Sequence, residues 1–189
     1  MKKFRFKIKY PKLLLLLLTI IISIIFFYEG KTFPPLHNFL ISLGYIGIFL
    51  SGIFYAYGFT AAPATAVLLV LAKEQNILLA GLIGGFGALL SDIAIFLFIK
   101  YSFTDEIKRL EKEKAVRFIE KEEKKLFGHY QKYILVSFAG FLIASPLPTE
   151  IGVTLMATLK NVSIKKFIII AYLLHTLGIF MILLIGNAL

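Results

Sequence analysis

Ser145-Pro146-Leu147-Pro148-Thr149-Glu150 interrupts an apolar stretch that occupies 133–159 and closes at Lys160-Asn161. The two prolines remove backbone donors and fix φ, so no continuous helix passes through them. Each flanking piece is too short to cross a hydrocarbon core of ~30 Å at ~1.5 Å rise per residue. In a bilayer every backbone polar group must find a partner, so the stretch reads as two helical arms that enter and leave by the same face. Thr149 and Glu150 then stand at the opening between the arms. Glu150 has two readings: an ordinary first-turn carboxylate, or a charge exposed to a cavity where protons or ions exchange.

The same pattern occurs earlier in the chain. Residues 38–72 are apolar but broken by Tyr57-Gly58-Phe59-Thr60-Ala61-Ala62-Pro63, and the piece after Pro63 ends at Lys73-Glu74. At ~1.5 Å per residue, 64–72 covers about 14 Å, roughly half of the core. Two stretches, 77–99 and 164–185, are unbroken and long enough to cross alone. The N-terminus is basic and then apolar over 13–28. That apolar run is long for a secretion signal, and Glu29-Gly30-Lys31-Thr32 lacks a small-residue cleavage pattern, so it reads as a retained first membrane helix.

Composition agrees. Of 189 residues, 59% are hydrophobic and 17% charged, and mean hydropathy is +0.86, which excludes an ordinary soluble domain. With no cysteine there is no disulfide framework, thiolate nucleophile or cysteine-held metal, and three scattered histidines make no metal site. No cofactor is expected. The net charge of +10 invites a nucleic-acid reading, but the basic residues cluster at membrane edges. With a cytoplasmic N-terminus, all of them except Lys31 and Lys73 fall on the cytoplasmic side. Nucleic acid is therefore not an expected partner. Membrane lipids are, with anionic headgroups at the cytoplasmic face, and a homo-oligomer is an assembly open to the chain.

The expected fold is an all-α membrane protein. It comprises a basic N-terminus and first transmembrane helix (1–32), hairpin one plus a transmembrane helix (38–100), a charged cytoplasmic connector helix (101–132), and hairpin two plus a transmembrane helix (133–189). Aligning Pro63 with Pro148 sets Thr65 on Glu150, and Asp92 and His175 fall at similar distances beyond the two prolines. The halves enter from opposite faces and are thus inverted repeats. Between them, 104–125 interleaves acidic and basic side chains, with Glu113/Arg117 and Glu120/Lys124 at i,i+4 spacing, as a solvated or membrane-surface helix does.

Asp92 and Glu150 are the acids inside long apolar stretches, and an intramembrane carboxylate is a functional candidate by default. Asp92 ends Gly84-Gly85-Phe86-Gly87-Ala88-Leu89-Leu90-Ser91-Asp92. Gly81, Gly84, Gly85 and Gly87 permit close helix approach. Gly85-x-Gly87 is no dinucleotide fingerprint, since it lies within a span with no strand before it. The candidate substrate or proton site is Asp92, Glu150, Thr149, Thr65 and His175, with Pro63, Pro146 and Pro148 as the hairpin breaks. His175 reads either as a packing hydrogen-bonder or as a relay partner of Asp92.

A Pro-broken hairpin, a span carrying Gly87-Ala88-Leu89-Leu90-Ser91-Asp92, a charged connector, a second Pro-containing hairpin and the Lys165-Lys166-Phe167 corner resemble the DedA family of the VTT-domain superfamily. The resemblance covers about 40–186, and its best local match is the family's Gly-Ala-x-x-Gly-Asp, with Ser91 in place of the second glycine. It implies transport across a cell membrane, with lipid-carrier flipping and dependence on the proton-motive force. Two departures bear on that expectation, and the second, the loss of arginines, weakens it for a phosphate-headed substrate. Pro63-Ala64-Thr65 stands where the family commonly has Pro-Gly-Glu, and Ala144, Ser145 and Glu150 stand where it has arginines. The function expected is a transporter-like protein that moves a lipid or small amphipathic molecule. A non-transporting organising or assembly protein is the alternative, and an intramembrane hydrolase using two carboxylates a minor third.

Overall fold

A computed structural model describes residues 11–102, 131–145, 147, 149–158 and 162–189. These form seven helices and no strand: α1 (Pro11–Thr32), α2 (Pro34–Tyr55), α3 (Ala61–Leu71), α4 (Ile77–Ser102), α5 (Gln131–Ala144), α6 (Thr149–Thr158) and α7 (Ile164–Ala188). The charged stretch 104–125, most of the connector and the first ten residues lie outside the described residues. Among the described residues, Pro34–Tyr55, Ile77–Ile99 and Ile164–Ala188 are long and apolar enough to cross a membrane.

Local chemistry sets the boundaries. Phe33 is extended (φ −96°, ψ 102°), the conformation favoured before proline, and Pro34-Pro35 open α2 where their missing donors cost nothing. The helix therefore begins ahead of 38. Its corner with α1 is fixed by His37, whose Nδ1–H donates to the Gly30 carbonyl at 2.7 Å. Asn76 Oδ1 accepts the Leu79 N–H at 3.1 Å at the head of α4, and the Ser163 side chain caps α7 by accepting from the Lys166 N–H.

Within α2, Gly44 has φ 50° and ψ −130°, a backbone conformation that disfavours any Cβ. The helix is kinked there, so the arm that reaches the first break is 45–55, about as long as α3.

The packing is reciprocal. α2 packs on α3 and α4, α5 on α6 and α7, and the short helix of each half crosses to the other half's long helix, α3 against α7 and α6 against α4. α4 and α7 form the central pair, while α1 lies on α3 and α2. Lipid gives no hydrophobic drive for helices to associate, so close approach by small residues matters most. A Cβ on Gly81 or Gly85 would meet Phe180 or Thr176 of α7, and one on Gly52 or Gly87 would strike the α4 or α2 backbone at Gly84 or Phe49.

Two apolar clusters result. One gathers Ile48, Tyr55, Leu68, Leu71, Ala88, Ile179 and Leu183. The other holds Leu89, Ala139, Ile143, Val153, Met156, Ala171 and the stacked pair Phe96–Phe167, whose ring centroids are 4.3 Å apart. Along α7, His175 falls between Ala171 of the second and Ile179 of the first. Outward, Ile169, Leu173, Leu177 and Met181 form an exposed apolar stripe, as a lipid-facing helix presents.

Candidate functional site at the junction of the two helix breaks

A helix end frees carbonyls that must find other partners wherever the chain buries them away from water. α2 ends at Tyr55, and three carbonyls around its end find specific partners. Ile53 O accepts from the Ser91 hydroxyl of α4 at 2.9 Å. Phe54 O accepts from the Thr60 hydroxyl at 2.6 Å. Ala56 O accepts from the Thr149 hydroxyl at 2.6 Å, across from the other half. The second break is served in return: the Tyr55 hydroxyl points at Ala144 O at 3.4 Å, and Ser145 Oγ donates to Leu142 O at 3.1 Å.

Glu150 belongs to the same junction. Its Oε1 accepts the Gly58 N–H at 2.9 Å, so the carboxylate at the head of α6 satisfies a donor released by the break after α2. Glycine leaves that amide open to approach, with no side chain in the way. Glu150 is thus an acceptor for the opposite half.

Asp92 and His175 complete the cluster. His175 Nε2 and Asp92 Oδ2 are 2.7 Å apart, and both side chains are fully buried. Asp92 Oδ1 lies 3.4 Å from Thr149 Oγ1, and Thr149 is itself fully buried. The Tyr55 ring stands edge-on to His175 with centroids 6.0 Å apart. A continuous polar path therefore links His175 of α7, Asp92 of α4, Thr149 of α6 and the Ala56 carbonyl. Among the described residues, His175 Nδ1, Glu150 Oε2 and Thr176 Oγ1 are buried without a hydrogen-bond partner. Unpaired polar atoms at such depth are costly, and they concentrate where protons or ligands are handled.

Four of the five residues singled out in the sequence, Asp92, His175, Thr149 and Glu150, come together here. Thr65 does not join them. Its hydroxyl turns back to Ala61 O at 2.8 Å within α3, and it lines a cleft of about 240 Å³ against α1 with Ser23, Phe27 and Leu69. The first break falls ahead of α3, at 56–60, and not at Pro63, which sits in the first turn of the continuous helix, where a missing donor costs nothing, and borders a second apolar cleft of about 350 Å³ with Leu43, Gly47, Phe54 and Val67. Pro146 and Pro148 lie outside the described residues. Thr149 faces the Ala56 carbonyl and Asp92 instead of open space, because that carbonyl needs a donor more than the hydroxyl needs a cavity.

Sequence reading missed Tyr55 and the backbone groups of Ala56 and Gly58. Backbone donors and acceptors leave no residue signature; only the glycine within Tyr57-Gly58-Phe59 hinted that an amide would be free. Among the described residues no group of three or more His, Asp and Glu side chains could hold a metal ion. Comparison with family models, with curated proteins and with solved structures finds no match to this chain.

Proposed function

We propose that this chain is a transporter-like membrane protein that moves a lipid or small amphipathic molecule, coupled to protons through Asp92 and Glu150. In this reading it is a multi-pass protein of a plasma or inner membrane with a cytoplasmic N-terminus, and the DedA resemblance belongs to the same proposal. Its two halves are inverted, each a re-entrant hairpin followed by a full crossing, with α1 as a further crossing.

One observation carries the reading. Two helix breaks from different halves meet through Thr149–Ala56 O and Glu150–Gly58 N–H, around a buried Asp92–His175 pair. Discontinuous helices meeting at mid-depth, with ionisable groups between them, are how membrane transporters build a site that both faces can reach in turn. The reciprocal packing of α3 on α7 and α6 on α4 supports inverted halves.

A non-transporting assembly role is the second reading, favoured by the complete burial of Asp92, Thr149 and His175. Reconstitution in liposomes carrying fluorescent-lipid and pH reporters separates the two. Wild type is expected to scramble or translocate lipid with proton flux, and Asp92→Asn and Glu150→Gln to lose at least about tenfold of the rate, as loss of a proton-transfer group does. Absence of both activities in wild type, or variants that match it, rejects transport.

A further inference from the structure

We infer that Thr149 is a positioning residue that reports the charge of Asp92 to the contact between the two helix breaks, so that a single hydroxyl proton opens or closes the junction. The inference rests on the reading of Asp92 as a proton site.

The argument is one of donor counting. A threonine hydroxyl carries one hydrogen and can donate one bond at a time. Thr149 Oγ1 has two acceptors within reach, the Ala56 carbonyl at 2.6 Å and Asp92 Oδ1 at 3.4 Å. The short distance assigns the hydrogen to Ala56, which ties the head of α6 to the end of α2. Ala56 lies at the break itself and is fully buried, so water is not available to replace the hydroxyl there.

The second acceptor is the one whose strength changes. Asp92 Oδ2 is engaged by His175 Nε2, leaving Oδ1 with Thr149 as its neighbour. A neutral carboxyl offers Oδ1 as a plain carbonyl, comparable to Ala56 O. An ionised one offers a charged acceptor, and hydrogen bonds to a charged partner are about twice as strong. Ionisation therefore draws the hydroxyl toward Asp92 and strips the Ala56 carbonyl of its donor. The junction then loses the shortest of its cross-break contacts and is left with Glu150–Gly58 and the longer Tyr55–Ala144 contact.

Other groups facing Asp92 act on the same balance. From α7, His175 shares a proton with Oδ2; with that proton on Nε2 the carboxylate is charged, and with it on Oδ2 the unpartnered Nδ1 must carry a hydrogen. From α6, the Glu150 carboxylate lies within electrostatic reach. From α2, Tyr55 meets His175 by its ring edge. Each can set the pH at which Asp92 changes charge, but among these groups it is the Thr149 hydroxyl that can donate either to Asp92 or to the other break.

The cysteine-free chain makes the test direct, since introduced cysteines have no competitors. Spin labels at Phe59→Cys and Leu147→Cys, both exposed positions beside the two breaks, report the junction as a distance distribution in lipid nanodiscs across pH 5–9. The labelled protein is expected to show a short, narrow distribution at low pH that shifts to longer distance as pH rises. Asp92→Asn should hold the short distribution throughout. Thr149→Val should lose the pH response and Thr149→Ser should keep it. A full pH-dependent shift in Thr149→Val, its absence in the unsubstituted background, or a normal shift in Asp92→Asn overturns the switch; if the valine variant does not reconstitute, Asp92→Asn decides. Lipid and proton flux measured on the same preparations keep the questions apart, because a titrating distance without flux rejects transport and leaves the switch standing.

Discussion

His175 and Asp92 satisfy each other in a place where neither could stand alone. A buried ion or polar pair contributes little net stability over an apolar pair, but removing one partner strands the other. His175→Ala should therefore cost about 3–5 kcal/mol, since Asp92 keeps only the distant Thr149 hydroxyl. Adding Asp92→Asn to that variant should recover about half of the loss, the signature of coupled neighbours in a double-mutant cycle. Thermal or denaturant unfolding in detergent micelles checks both; equal, additive losses would show that the pair is not coupled. At this scale the sequence was partly legible. An acid and a histidine at depth each need a partner, and His175 was already legible as a relay partner of Asp92; Thr65, at the uncharged break, was the weaker candidate, and α3 turns it toward α1.

Among the elements, the seam between α2 and α4 shows how small residues substitute for hydrophobic drive in lipid. A Cβ at Gly52 would strike the Gly84 carbonyl and its neighbouring backbone atoms, which cannot rotate aside. Gly140 differs: a Cβ there meets Leu174 Cδ1 at 3.3 Å, the far end of a flexible side chain. Gly52→Ala should thus destabilise by about 1–3 kcal/mol through overpacking. Gly140→Ala should be neutral or slightly stabilising, because alanine is about 1 kcal/mol better than glycine within a helix. Comparing the two by unfolding in detergent tests the seam; similar effects would mean that close backbone approach is not what holds α2 to α4. The four glycines of α4 were visible as a packing surface in the sequence. That Gly81 and Gly85 face α7 while Gly87 faces α2 was not, since helical period gives the angle between residues and leaves the identity of the neighbour open.

For the whole molecule, the decisive question is whether the two breaks lie within the membrane or at its surfaces. If α2 and α3 each crossed fully, Tyr57 at the break would emerge into water on the cytoplasmic side. In a re-entrant hairpin it stays at depth. A single cysteine at Tyr57 should therefore resist a membrane-impermeant maleimide from either face, whereas one at Lys73, in the exposed corner before α4, should react from the outside alone. Rapid labelling at position 57 from the cytoplasmic side would replace the hairpin with two crossings. By itself the sequence determined that the chain is helical and apolar enough for a membrane, that its apolar stretches are interrupted near 57–63 and 145–150, and that Asp92 lies in an apolar setting. Those properties follow from constraints that lipid imposes locally: a fixed thickness, no tolerance for unpaired backbone, and a high cost for charge. Only the tertiary structure decided how the breaks are satisfied. Gly58 and Glu150 are 92 positions apart, and Ala56 and Thr149 are 93 apart. A carbonyl or amide freed by a helix break takes whichever donor or acceptor the fold brings to it, and that depends on packing between halves that no local pattern of residues encodes.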